Sequence, residues 1–268
     1  QTYTFGAIPR FEVKPSMIWK LQTKTPVPQG VIGNHNPSTL IRNPSLFRLQ
    51  SYMNYDTDGN LIETTVEQNT TSYVNDYKSR SVIATVVNAT AGNVSYTSFE
   101  ADGKGGWNFN PLFIKTTGSV TGTKSFKLGL DASLNQTSTI TRTGLDPAKT
   151  YVITYWTQNV EPDHVLVNGE YGEMQFTQQA TGYVLFKKEV TGVTQVTLTG
   201  DAMIDELRLY PKGALMSTVT YSEGIGKTSE CDANNRLMYY EYDALGRMKL
   251  MRDQNRNIIK TYEYNYKH

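Results

Sequence analysis

The sequence predicts an all-β protein: a two-sheet β-sandwich or jelly roll of about 117 residues, set between segments of short β-hairpins. Three observations carry this. The 268 residues include 18 Tyr and 21 Gly beside abundant Thr and Val, a strand-favouring composition. Hardly any stretch spaces its apolar residues at a helical period. Apolar and polar residues instead alternate, as half-buried strands require, and the alternation is broken at short intervals by Asp, Asn, Gly and Pro.

Taken in order, the first fifty residues are rich in Pro and Asn ("PVPQGVIGNHNPSTLIRNPS") and predict an irregular surface connection with one strand around 17–21. Tyr55-Asp56-Thr57-Asp58-Gly59-Asn60 then has the make-up of a tight reversal. From 95 to 211 come nine strand-like runs: "SYTSFE", "KSFKLGL", "STITRT", "TYVITYWTQ", "HVLVN", "EMQFTQ", "YVLFKKEV", "QVTLTG" and "MIDELRLY". That count and spacing is that of a sandwich or jelly roll. An inserted domain must have neighbouring ends if the hairpins are to continue past it. The expected boundaries are 1–91, 92–211 and 212–268.

The last segment is built as a repeat. "LMYYEYD", "RMKLMRD" and "IIKTYEYNYK" alternate as strands, and Asp232, Asp243 and Asp253 recur at a step of one strand plus one tight turn. An Asp side chain that bonds the backbone two residues on explains why Asp leads each turn, and Gly246 supplies a positive φ. A ribbon of two or three strands is marginal alone in water, so residues 214–268 are expected to lean on strands from 1–91, on the sandwich or on another chain, with the two Tyr-Asp segments pairing with each other.

Tyr242-Asp243-x-x-Gly246-Arg247, with its echo at Tyr55-Asp56-x-x-Gly59-Asn60, resembles the signature of the Rhs/YD-repeat family. "YEYDALGRMKLMRDQNRNIIKTYEYNYK" is similar to the terminal repeat of the long Rhs-like surface proteins of Bacteroidetes-type bacteria. The last turn departs from the pattern: Arg256 stands in the Gly position, which leaves Asn255 to carry a left-handed conformation. The segment following Tyr55 also resembles the lead-in to such repeats, with Asn75-Asp76 where Trp-Gly is common. The resemblance implies a secreted or cell-surface location, other Rhs repeats of a parent chain as partners, and β-ribbons that enclose a toxin or other cargo.

Residues 95–211 resemble the galactose-binding-like jelly roll of many carbohydrate-binding modules, through "TSFE" followed by Gly106-Trp107, "GTKSFKL", and the closing "IDELRLYP". In that family an opening Glu and a closing Asp hold a structural calcium ion, a cation that takes six to eight oxygens. Glu100 and Asp205 are the matching side chains; the alternative is that they pair with Lys124 or cap loop amides. A glycan or polysaccharide would need an aromatic platform flanked by polar groups. In "YVITYW", Tyr151 and Tyr155 share one face and Trp156 the other, and on the last strand Ile204, Glu206, Arg208 and Tyr210 form the more polar face. The sharpest candidate is therefore Tyr155 or Trp156 with Glu206 and Arg208; the alternative for each aromatic is core packing.

Other chemistry is weakly supported. A net charge of +1 offers no field to recruit nucleic acid, and no run of 18 apolar residues suits membrane insertion. Gln1 opens without a signal-like segment, as expected of a mature chain or an excerpt. The lone Cys231 excludes an internal disulfide, and His35, His164 and His268 have no partner at metal-ligand spacing. "EGIGKTSE" ends like a phosphate loop but has Tyr221 where a Gly should stand, and reads as a turn. Glu161 and Asp163 flank Pro162 on one loop and read as solvated charges rather than a hydrolytic pair. Two non-enzymatic functions remain: a surface-protein segment whose jelly roll binds carbohydrate, or a structural part of a β-ribbon shell without a ligand.

Overall fold

The computed structural model describes residues 18–21, 47–66, 68–78, 81–158, 164–222 and 224–265. They fall into two compact units, 1–70 and 71–268. In the first, β1 (Ile18–Leu21) pairs antiparallel with β2 (Phe47–Tyr55), which forms a hairpin with β3 (Leu61–Val66). β1 is the strand expected near 17–21; the rest of the Pro/Asn-rich lead-in lies outside the described residues, as does His35.

The unit boundary falls inside β4 (Asn69–Asp76), which pairs with β5 (Ser81–Val87). The sandwich strands follow: β6 (Ser95–Thr97), β7 (Ile114–Lys115), β8 (Ser125–Asp131), β9 (Gln136–Ser138), β10 (Ile140–Thr143), β11 (Thr150–Thr157), β12 (Val165–Val167), β13 (Glu170–Tyr171), β14 (Glu173–Thr177), β15 (Val184–Thr191), β16 (Gln195–Gly200) and β17 (Ala202–Pro211). Then come β18 (Leu215–Ser222), β19 (Gly226–Cys231), β20 (Leu237–Tyr242), β21 (Met248–Arg252) and β22 (Ile258–Thr261). The described residues contain no α-helix, only short 3-10 turns at Ala91–Asn93 and Pro111–Phe113, and no helix among them is long and apolar enough to cross a membrane.

Each of the nine strand-like runs of the middle segment contains a strand, and the protein is all-β. One sheet runs β14-β15-β11-β17-β8-β7, with β6 also on β17 and β9 on β8; the other runs β10-β16-β12-β13. Between them lies a core that includes Phe126, Leu128, Tyr151, Ile153, Tyr155, Val165, Leu198 and Leu209. Burying each aliphatic or aromatic side chain there contributes about 1.5–3 kcal/mol. Phe99, Phe109, Phe113 and Phe126 close one end through ring contacts of 5.3–6.1 Å.

The chain enters and leaves the sandwich side by side. Ser95 of β6 lies opposite Leu209 of β17, and just beyond, Val87 of β5 lies opposite Leu215 of β18. The hairpin strands before and after the sandwich therefore join in one antiparallel ribbon, β4-β5-β18-β19-β20-β21-β22. That ribbon packs on the outer face of the larger sheet. Ile83, Val86, Tyr96 and Met216 form one buried cluster at this contact; Trp156, Leu185, Cys231, Leu237 and Tyr239 form another.

Four turns share one geometry. The Oδ1 atoms of Asp56, Asp232, Asp243 and Asp253 each accept from the backbone N–H groups two and four residues on, at 2.8–3.0 Å. The backbone N–H of each Asp in turn donates to the carbonyl four residues on. This double clasp makes the fourth turn residue left-handed: Gly59 at φ 84°, Asn235 at 61°, Gly246 at 73° and Arg256 at 66°. The expectation that Asn255 takes that role is corrected: the Asx clasp sets the position by count from the Asp, and Arg256 occupies it despite its Cβ.

Candidate functional site

The polar face expected on β17 depends on strict alternation, and β17 breaks it. Opposite Thr154 and Trp156 of β11 stand Arg208 and Asp205, so Glu206 and Leu207 together face the single residue Tyr155. Glu206 takes up the extra residue at φ 51°. Such a bulge shifts the side-chain phase. Ile204 therefore joins Leu207 and Leu209 in the sandwich core, while Glu206 and Arg208 turn toward the ribbon.

All four residues expected to bind sugar, Tyr155, Trp156, Glu206 and Arg208, are buried in this fold rather than set on an open face. Tyr155 faces the sandwich interior, stacked on Phe186 at 5.7 Å and 12°. Trp156, 1% exposed, faces the other way, beneath ribbon residues Cys231, Leu237 and Tyr239, with Phe176 edge-on at 6.1 Å. Alternation along β11 thus places the two rings on opposite faces, but a third layer covers the outer face. Glu206 and Arg208 are each 1% exposed and form an ion pair at 3.3 Å.

Their partners join the layers. Glu206 Oε1 accepts from the Tyr96 hydroxyl at 2.7 Å and from Thr121 at 3.0 Å, and Oε2 accepts from Thr218 at 2.9 Å. Arg208 donates to the Asp232 carbonyl at 3.3 Å and to Asn235 Oδ1 at 3.1 Å. Thr218 belongs to β18, and Asp232 and Asn235 to the first Asp turn of the ribbon. A buried charge without partners is costly, so this arrangement holds only while sandwich and ribbon stay together.

Asp205 and Glu100 grip one loop from two sides. Asp205 Oδ2 accepts from the N–H groups of Val120 and Thr121, each at 2.9 Å, and Oδ1 from Glu206 N at 2.6 Å. Glu100 Oε1 accepts from Thr123 N at 2.6 Å and from Lys124 N, and Oε2 from the Thr123 hydroxyl at 3.2 Å. Lys124 Nζ donates to the Glu100 carbonyl. A Cβ on Gly122 would lie 2.3 Å from the Glu100 carboxyl carbon, so the loop closes on that side chain. The pair does not fit a calcium ion: the oxygens a cation would take already receive hydrogen-bond donors, whose positive ends an ion would oppose. Burial, and then the neighbouring Glu206, push the Asp205 carboxyl well above the usual carboxylate range.

Sequence reasoning missed a groove where the rim of the sandwich meets the ribbon. Two adjoining cavities of about 420 and 370 Å³ share Tyr77, Asp102, Tyr221 and Ser222 in their walls. Tyr77 and Tyr221 meet edge to face at 5.7 Å and 88°. The Tyr77 hydroxyl donates to the Tyr221 carbonyl at 2.8 Å and accepts from the Tyr221 N–H at 3.0 Å. Burial raises that phenol to about 12. Asp76 anchors the base of the groove by accepting from Gly103 N at 2.8 Å and Tyr77 N at 2.7 Å. The available signal was the unusual Asn75-Asp76 hairpin tip, but residues 144 positions apart have no shared pattern to read.

The remaining candidates have structural partners. Lys227 of the phosphate-loop-like stretch sits in β19, paired with Glu230 at 2.5 Å and over the Tyr240 ring at 4.2 Å. The His164 carbonyl accepts from Asp201 N at 2.9 Å. Cys231 is buried, and burial pushes its thiol up to about 12. Glu161, Asp163 and His268 lie outside the described residues. No protein-family model matches the chain, and a search of curated proteins finds no significant match.

Proposed function

We propose that this chain is a non-catalytic, load-sharing segment of a bacterial surface or secreted protein of the Rhs/YD-repeat kind, in which the sandwich braces the hairpin ribbon. One observation carries the reading: the charged and aromatic residues best suited to a ligand face, Trp156, Glu206 and Arg208, are spent on the contact with the ribbon. A module that presents a sugar would keep that face open. The Asp turns support the repeat reading, because three copies of one clasp at strand-plus-turn spacing, led by Asp232, Asp243 and Asp253, make a ribbon that can be extended by adding units, and Asp56 forms the same clasp much earlier in the chain.

Cys231 provides the test, since it lies in the contact and reacts only as a thiolate. In the native chain it should label with a thiol reagent no faster than the sandwich unfolds. Arg208→Met leaves Glu206 buried without its cation, a loss of about 3–5 kcal/mol, and should release Cys231 while β10, β12 and β16 of the sandwich keep their amide-exchange protection. Rapid native labelling would remove the brace. Trp156→Ala should likewise lower stability by about 3–5 kcal/mol; a variant that keeps its melting temperature but loses retention on a polysaccharide would restore the sugar-face reading.

A further inference from the structure

The groove between sandwich rim and ribbon goes beyond the bracing role, which would stand without it. Its walls come from both parts: Tyr77, Tyr221, Ser222 and Ile225 from the ribbon, Asp102 and Lys124 from the sandwich rim. Each of its two cavities falls in the range of about 300–1,000 Å³ typical of small-molecule sites.

Three features set it apart from an incidental crevice. Tyr77 and Lys78 are successive non-glycine residues in the left-handed region, at φ 55° and 57°. Each costs on the order of 1 kcal/mol, and such strain collects at functional sites. The strained tip also presents an aromatic ring that is already immobilised, because the Tyr77 hydroxyl is bound twice to the backbone of Tyr221. A pinned ring loses little freedom when a ligand stacks on it. Finally, the charges of the described lining residues balance: Asp102 and Glu100 are matched by Lys78 and Lys124, and Glu100 is already engaged with loop amides.

A half-buried tyrosine pair, the Asp102 carboxylate, the Ser222 and Thr228 hydroxyls and balanced charge among the described lining residues suit a ligand with an apolar C–H face and a hydroxyl rim. We propose that the Tyr77–Tyr221 groove binds an uncharged saccharide, with the sugar face on the tyrosines and Asp102 accepting from its hydroxyls. The site forms only when sandwich and ribbon are assembled.

Affinity electrophoresis of the full chain in gels containing galactomannan, xyloglucan or soluble starch tests this. At least one gel should retard the protein. Ser222→Trp, which fills the groove, and Asp102→Ala, which removes the acceptor, should weaken retardation at least tenfold with unchanged melting temperatures. Tyr221→Ala should abolish it, but Tyr221 also packs on the ribbon core, so the other two variants decide. Three results overturn the proposal: no retardation in any neutral gel, retardation only in alginate or chitosan gels, or retardation unaffected by Ser222→Trp. Binding of a proline-rich peptide without saccharide binding would assign the groove to protein partners instead. Because Cys231 labelling tests the brace separately, failure of one reading leaves the other measurable.

Discussion

Arg256 shows how one residue serves two demands. Its left-handed backbone costs about 1–2 kcal/mol relative to Gly, yet its guanidinium lies 3.5 Å from the centre of the Tyr239 ring and donates to the Val120 carbonyl at 3.4 Å. Asn235 does the same through its bond to Arg208. Both non-glycine turns thus reach the sandwich, whereas a Cβ on Gly246 would meet nothing within 4 Å. A double-mutant cycle checks the trade. Arg256→Gly alone should change stability to urea by less than about 1 kcal/mol, because a cation–π contact worth about 0.5–2 kcal/mol offsets the strain. In a Tyr239→Leu background the same change should stabilise by about 1 kcal/mol; equal effects in both backgrounds would uncouple the two residues.

At the scale of the element, the Asp clasp makes the ribbon acid-sensitive. The Arg247 side chain and then backbone N–H groups hold Asp243 below the usual carboxylate range; the Asn257 side chain, opposed by burial and helped by backbone N–H groups, does the same for Asp253. A lowered folded pKa contributes stability above the unfolded value near 3.8 that is lost as pH falls through the folded value. Asp76 runs the other way: burial raises it, so its contribution favours low pH and fades as pH rises through its folded value. Asp243→Asn with Asp253→Asn keeps an oxygen that accepts the same N–H groups but removes the titration. The urea midpoint of this variant should fall less between pH 5 and pH 3 than that of the parent; parallel falls would mean that the clasps do not titrate with folding. Nine of the twelve central strands and the three C-terminal ones were legible because alternation and Asx chemistry are local, whereas β7, β9 and β13, of two or three residues each, are too short to show a period. β18 and β19 were not, since "LMSTVTYS" and "GKTSEC" carry few large apolar residues and owe their place to β5 and β20.

Over the whole 71–268 unit, three layers share two interiors, and the ribbon is stable because its inner face is covered. Leu237, Tyr239 and Leu250 are buried, whereas all four residues of β22 are exposed on an open edge. Hydrogen exchange should therefore protect β19 to β21 within about tenfold of β11 and β17, with β22 exchanging far sooner. Uniformly fast exchange across β19 to β22 would show that the sandwich does not hold the ribbon.

By itself the sequence determined the class, the longer sandwich strands and the reversals, because side-chain period and turn chemistry act over a few residues and survive any packing arrangement. Only the tertiary structure decided what the strands' outer faces do. A polar, aromatic face reads alike whether water or another sheet lies against it, and the bulge at Glu206 and the covering of Trp156 depend on contacts made across long stretches of chain. The same holds for the groove, whose two tyrosines meet through folding alone.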